Sequence, residues 1–178
     1  MAEFKAEWLN DFVQTHGIKT VVEFGSGDGA QLTLANYPSY LGLDISPMAI
    51  DQCKTRFSSD DSKQFRHYQP DQFEADGIPL AELSISLDVI YHLVEDAVFE
   101  TYMKQLFSSA EKFVVIYASN HDEHTAVAHV RHRRFTDWIN SHLPAWRLIQ
   151  HIPNRYPFDP NDWENTSFAD FYVFGRHA

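Results

Sequence analysis

Thr20-Val21-Val22-Glu23-Phe24-Gly25-Ser26-Gly27-Asp28-Gly29 decides how the rest of this chain reads. Its first half is short, β-branched and apolar, the pattern of a strand buried on both faces of a sheet. Its second half places three glycines at alternate positions, where backbone can come close to a ligand at the carboxyl end of that strand. The stretch predicts strand, loop and then a helix from about residue 30. Downstream, residues 40–44 form a second strand candidate ending on Asp44, about 19 residues past the first glycine, where a carboxylate can accept hydrogen bonds from two ribose hydroxyls. Loop and acid together point to an adenosine-bearing ligand.

Working outward, Ser46-Pro47 starts a helix that runs to about residue 57. A third strand is expected at 65–68, a fourth at 83–90, a helix at 95–110 and a strongly apolar fifth strand at 113–118. Upstream, Phe4, Trp8, Leu9, Phe12 and Val13 give residues 4–15 helical spacing, closed by His16-Gly17. The alternation implies a parallel sheet with helices on both faces. Beyond residue 118 a polar stretch rich in His and Arg precedes a helix at 135–142 and strand candidates at 146–151 and 169–175. The connector between these two carries prolines and Asn/Asp turn residues rather than a helix, so the pair is expected to be antiparallel. No repeat or linker divides the sequence, and residues 1–178 are read as a single domain.

Composition narrows the classes. The chain has 178 residues, 44% hydrophobic and 15% aromatic, with 14 Lys+Arg against 25 Asp+Glu and a formal net charge of −11. That is enough apolar mass for a core, and an acidic surface repels polyphosphate, so no nucleic acid partner is expected. One cysteine, Cys53, excludes a disulfide framework and fits a reducing compartment; with no membrane span in the sequence, the expected location is cytoplasmic.

The glycine loop alone reads as G-x-G-x-x-A, a dinucleotide fingerprint, or as acid-x-G-x-G-x-G. A compact nicotinamide reductase needs a Tyr-x-x-x-Lys pair, and no tyrosine here has a lysine four residues on. Glu23 repels a diphosphate but suits a cationic sulfonium and amino-acid ligand. With Val22-Glu23-Phe24-Gly25-Ser26-Gly27-Asp28-Gly29, Gly42-Leu43-Asp44-Ile45-Ser46-Pro47 and Ser86-Leu87-Asp88-Val89-Ile90-Tyr91-His92-Leu93, the chain resembles class I (Rossmann-like) S-adenosylmethionine-dependent methyltransferases over nearly its whole length.

That resemblance implies a seven-stranded sheet of order 3-2-1-4-5-7-6 with strand seven antiparallel, and S-adenosyl-L-methionine as cofactor. By position, Glu23, Gly25 and Gly27 would meet the methionine part, with Ser26 and Gly29 of the same loop, and Asp88 after strand four, also in the cofactor-binding set. Asp44 would take the ribose, Ile45 and Met48 the adenine face, and Asp71 or Gln72 the adenine amino group. The acceptor would lie over strands four and five, lined by Tyr91, Asn120, Arg131, Arg133 and Arg134, the arginines being suited to clamp an anionic group. His92 is the first candidate for a general base, with His121, His129 and His132 in reserve.

Residues 129–138, His-Val-Arg-His-Arg-Arg-Phe-Thr-Asp-Trp, and residues 87–96, Leu-Asp-Val-Ile-Tyr-His-Leu-Val-Glu-Asp, resemble small methyltransferase domains associated with glycan assembly. The expected activity is therefore O-methylation of a sugar or glycan hydroxyl. A small-molecule N-methyltransferase, an NAD(P)-dependent reductase and a non-catalytic S-adenosylmethionine-binding module are the other classes. His121, His124, His129 and His132 with Asp122 and Glu123, or Asp88 with Asn120, raise a metal reading; their spacing matches no closed zinc pattern, and no resident metal is expected.

Overall fold

In the computed structural model, which describes residues 1–74, 76–123 and 127–177, β1 (Thr20–Phe24), β2 (Ser39–Asp44), β3 (Lys63–His67), β4 (Ala81–Leu87), β5 (Ala110–Ala118), β6 (Trp146–Ile152) and β7 (Asp170–Arg176) join one sheet of order β3-β2-β1-β4-β5-β7-β6. The first five run parallel. β7 is antiparallel to β5, with Val114 opposite Phe174, and β6 is antiparallel to β7. The proline-bearing connector between β6 and β7 thus reverses the chain as its turn residues predict.

Side chains alternate across the sheet and build a core on each face. Val22, Phe24, Leu41 and Leu43 pack with Phe99, Met103 and Leu106 of α3 (Asp96–Ser108) and Phe135 and Ile139 of α4 (Phe135–His142). Val21, Tyr40, Ile85, Val115 and Val173 face Leu9, Phe12 and Val13 of α1 (Ala2–Thr15) and Ile50 and Cys53 of α2 (Pro47–Arg56). Trp8 stacks on Phe171 at 4.4 Å between ring centroids, which seats α1 over β7. Ser46 caps α2 by accepting the Ala49 N–H at 3.3 Å, with Pro47 in the first turn, as its start signal implies. No described helix is long and apolar enough to cross a membrane.

The helix expected from residue 30 is a correction. The chain makes a four-residue 3-10 turn, Gln31–Leu34, and is back in the sheet at Ser39. Residues 30–38 leave no length for several helical turns plus a return, and Pro38 bars continuation. Only Leu32 is buried from this turn, and α1 covers the sheet beside it. β4 also stops earlier than expected, at Leu87, because Asp88 takes φ +59° and Ile90–His92 fold into a 3-10 turn. α3 ends at Ser108, and β5 begins at Ala110.

Candidate active site

The carboxyl ends of β1, β2 and β4 meet where the strand order reverses, the position at which open α/β sheets form a ligand crevice. A cavity of about 260 Å³ opens there. It is lined by Gly25, Asp44, Ile45, Tyr68, Leu87, Asp88, Val89, His92 and Leu93. Pro70, Val98 and Tyr102 complete the wall. Its charges are the carboxylates of Asp44 and Asp88, and no Lys or Arg is among the lining residues. An apolar slot with two acids is complementary to a cation with a flat apolar part, and repels phosphate.

The loop beneath it is held by its own backbone. Gly25 N and Ser26 N both donate to the Leu43 carbonyl, at 2.7 and 3.0 Å, and Gly27 N donates to Asp44 Oδ2 at 2.8 Å. Gly29 N donates to Ser26 O, and Ala30 N to Asp28 Oδ1. The N–H groups that would cradle a diphosphate are thereby engaged, and the short 3-10 turn supplies no helix terminus for one. Gly25 has φ +84°, and a Cβ there would lie 2.4 Å from Val89 Cγ2, so only glycine fits. Asp44 Oδ1 accepts from Ser46 N at 2.8 Å; each carboxylate oxygen keeps a lone pair for a ribose hydroxyl. Ile45, 69% exposed beside Asp44, offers an uncovered apolar face.

Other residues of the expected cofactor set lie elsewhere. Glu23 is buried under the loop, accepting from Tyr40 Oη at 2.6 Å, and is not among the cavity-lining residues. Burial, partly offset by the Tyr40 hydrogen bond and Lys5, pushes its carboxyl up to about 7. Met48 points away with 70% exposure into a groove with Asp28, Asp51 and Arg56. Asp71 and Gln72 are exposed on the 3-10 turn Pro70–Gln72, which presents Pro70 to the cavity instead. Gln105 holds that turn by donating to Pro70 O at 2.7 Å.

Of the four candidate bases, His92 is the one that lines the cavity. Its Nδ1 lies 3.1 Å from the His129 carbonyl. A carbonyl only accepts, so Nδ1 carries the proton and, in the neutral ring, the lone pair lies on Nε2. His129 stacks on His92 at 5.9 Å. His121 and His132 form a separate pair, 4.6 Å apart, with His132 Nδ1 2.7 Å from Ser119 Oγ. Burial and then the neighbouring His121 hold the His132 imidazole below its ordinary pKa. Tyr91 donates to Asp88 Oδ1 at 2.9 Å and meets the Phe168 ring edge-on at 5.2 Å.

The expected arginine clamp is largely occupied within the protein. Arg133 donates to Leu93 O and Val94 O at 2.6 and 2.8 Å, reaches Asp96, and covers the Phe99 ring with its side chain 13% exposed. Arg131 donates to Val94 O at 2.8 Å and to Asp96. Both pin the segment before α4 to the start of α3, where hydrogen bonds to charge are strongest. Arg134 is the most open of the three, 4.0 Å from Asp137. Asn120 holds α4: its Oδ1 accepts from Thr136 N at 3.2 Å and its Nδ2 donates to Thr136 Oγ1. Among the described residues, no group of three His, Cys, Asp or Glu side chains could hold a metal ion; His124 lies outside the described residues.

Sequence reading passed over Lys5, whose Nζ lies 2.7 Å from Asp88 Oδ2 with the side chain only 12% exposed. The available signal was its position three residues before Trp8 and four before Leu9, inside the apolar stripe of α1. The apolar lining residues Tyr68, Val98 and Tyr102 were equally unmarked, since nothing local separates a cavity wall from core.

No family model matches the chain, and no curated protein matches it. Its sheet order, antiparallel β7 and crevice are those of the Rossmann-like methyltransferase fold, and solved structures agree. The methyltransferase domain of bacterial CtHen1-C covers 99% of this chain and 98% of its own, at 16% identity and TM-score 0.74. The N-methyltransferase NodS from Bradyrhizobium japonicum WM9 covers 99% and 94%, at 13% identity and TM-score 0.74. Magnesium protoporphyrin IX methyltransferase (ChlM) from Synechocystis PCC 6803, crystallised with SAH, covers 98% and 83%, at 12% identity and TM-score 0.73.

Proposed function

We propose that this chain is an S-adenosylmethionine-dependent methyltransferase whose acceptor is a hydroxyl of a sugar or glycan intermediate. The observation that carries the reading is the cavity itself: an apolar slot with Asp44 and Asp88, above a glycine loop whose N–H groups are already bonded. Such a site disfavours a nicotinamide dinucleotide and suits a cationic adenosine ligand. Solved neighbours bound to SAM or SAH support the same cofactor.

The residues fit that ligand. Asp44 would accept from the ribose hydroxyls, Ile45 and Pro70 would cover the adenine, and Asp88 and Gly25 would border the amino-acid end. When bound, S-adenosylmethionine supplies an activated sulfonium methyl, so the protein's work is alignment and proton removal. His92 would take the acceptor hydroxyl proton on Nε2 as the oxygen forms its bond to carbon, and the His129 carbonyl would stabilise the resulting imidazolium through Nδ1–H. With Arg131 and Arg133 pinned to Asp96, a neutral acceptor fits better than a phosphorylated one.

Calorimetric titration with S-adenosylhomocysteine, NAD and NADP tests the cofactor, and labelled methyl transfer to a panel of sugars, amines and RNA tests the acceptor. Binding of S-adenosylhomocysteine alone and label on a sugar oxygen is expected. Nucleotide binding, or label only on amines or RNA, overturns the reading. His92→Ala should keep cofactor affinity and lose turnover by about 100-fold or more, the usual range for a general base. Asp44→Ala should instead weaken cofactor binding by about 1.5–3 kcal/mol.

A further inference from the structure

The connector between β6 and β7, residues 153–169, is long for a loop and returns to the sheet at its acceptor end, where Asp170 opens β7 opposite Ala118, the last residue of β5. Its ends are tied down. Buried Asn154 donates to Tyr117 Oη and to the Ala169 carbonyl at 2.6 and 2.9 Å, and Arg155 bonds Glu7 of α1 at 2.8 Å. Farther in, Ser167 N donates to Tyr156 O and Asp159 N to Thr166 Oγ1, both at 3.0 Å. A loop closed on itself in this way holds its shape without a ligand. It nevertheless turns large apolar groups to water: Phe158 is 52% exposed and Trp163 70%. Aromatic groups exposed together on a fixed loop mark a binding surface.

That surface is continuous with His92. Ring contacts lead from His92 to Tyr91 at 4.6 Å, from Tyr91 to Phe168 at 5.2 Å and from Phe168 to Phe158 at 6.1 Å. Between Tyr156 and Phe168 the loop carries Asp159, Asp162 and Glu164 and no Lys or Arg, so it repels phosphate. Asp159 and Asp162 each commit Oδ1 to an asparagine of the loop, Asn161 and Asn165, and keep Oδ2 for an outside donor. Aromatic rings interleaved with short carboxylates match a ligand ring that has an apolar C–H face and hydroxyls on its rim. We propose that this loop is an outer acceptor subsite in which Phe158 and Trp163 stack on sugar rings beyond the one that is methylated, so that the acceptor is a saccharide chain rather than a single sugar. This rests on the sugar-hydroxyl reading above, and the row of rings ends at the base that a hydroxyl acceptor needs. A chain lying along it covers exposed aromatic surface at little cost in loop ordering, because the loop is already folded.

The test is methyl transfer and calorimetric binding on the full chain with β-linked oligosaccharides of glucose, mannose and N-acetylglucosamine, from one ring to about four. In the wild type kcat/KM should rise about tenfold or more between one ring and three. Phe158→Ala and Trp163→Ala should flatten that rise while the one-ring value moves by no more than about twofold, and Phe158→Tyr, which keeps a ring, should preserve it. A wild type indifferent to length overturns the proposal, as does an equal loss at every length in the variants, which marks a purely structural loop. Long saccharides that bind through Phe158 and Trp163 but accept no methyl group overturn the sugar-hydroxyl reading and leave the loop a saccharide site; saccharides that neither bind nor react overturn both. Spermine bound in their place, and lost in the two alanine variants, gives the loop to a cation and overturns the proposal. Circular dichroism of each variant separates misfolding from lost contact.

Discussion

The two halves of the crevice are held in different ways. Around the glycine loop the bonds come from backbone N–H groups and span shorter stretches of chain: Gly25 and Ser26 to the Leu43 carbonyl, Tyr68 to the Asp44 carbonyl, and Gly27 to the Asp44 carboxylate. On the acceptor side, side chains reach far along the chain: Arg133 to Leu93 and Val94, His92 to His129, and Tyr91 across to Phe168. A backbone-built half leaves side chains free to meet a ligand, whereas a half tied by side chains uses its polar residues to make its own wall. Polar richness at the ends of β4 and β5 is therefore a poor guide to what touches the acceptor.

The largest effect should come from attacking the backbone-built half. Gly25→Ala adds a Cβ at 2.4 Å from Val89 Cγ2 on a residue at φ +84°. Left-handed strain and overpacking together should destabilise the fold by about 2–5 kcal/mol. Urea unfolding reads this directly; a loss below 1 kcal/mol would mean the loop is not the fixed element it is taken to be.

Glu23 sharpens the contrast through pH. Its carboxyl is raised from 4.5 to about 7 by burial, so the folded state binds the proton more tightly than the unfolded one. The stability it lends is complete below 4.5 and is lost as pH rises through 7. Glu23→Gln, which still accepts from Tyr40, should stabilise the protein by roughly 3 kcal/mol at pH 8 and by little at pH 4. Melting temperatures that rise equally at both pH values would assign the effect to packing.

For the side-chain-built half, Arg133→Ala should cost about 1.5–3 kcal/mol, because two carbonyls lose a charged donor. Arg134→Ala, on an exposed side chain, should stay within about 0.5 kcal/mol. If Arg134→Ala nevertheless raises the acceptor KM with stability unchanged, it is the arginine that meets substrate.

The same contrast explains what the sequence conveys. Strand order, the antiparallel terminal pair, the glycine loop and Asp44 follow from short-range periodicity and from a resemblance resting on contiguous motifs. The missing helix after the loop was readable only as a length constraint, in residues 30–38 and Pro38. For Arg131, Arg133, Asn120 and Glu23, residue type says what a side chain can bind, not that Asp96, Thr136 or Tyr40 also reaches it in the fold. Lys5 escaped because its partner Asp88 lies 83 residues away.

The short return from Gly29 to Ser39 also bears on how the chain acquires its shape. β1 and β2 pair with Val21 opposite Tyr40, a small loop to close, whereas β5 waits for β7 with Val114 opposite Phe174. Closing a small loop costs little chain entropy, so the β1–β2 pair and its turn are expected to form ahead of the β1–β4 and β5–β7 ladders, whose partners, Val21 with Leu83 and Val114 with Phe174, lie much farther apart along the chain. The ligand-facing loop is then expected among the first parts of the molecule to become ordered, which pulse-labelled hydrogen exchange during refolding would read.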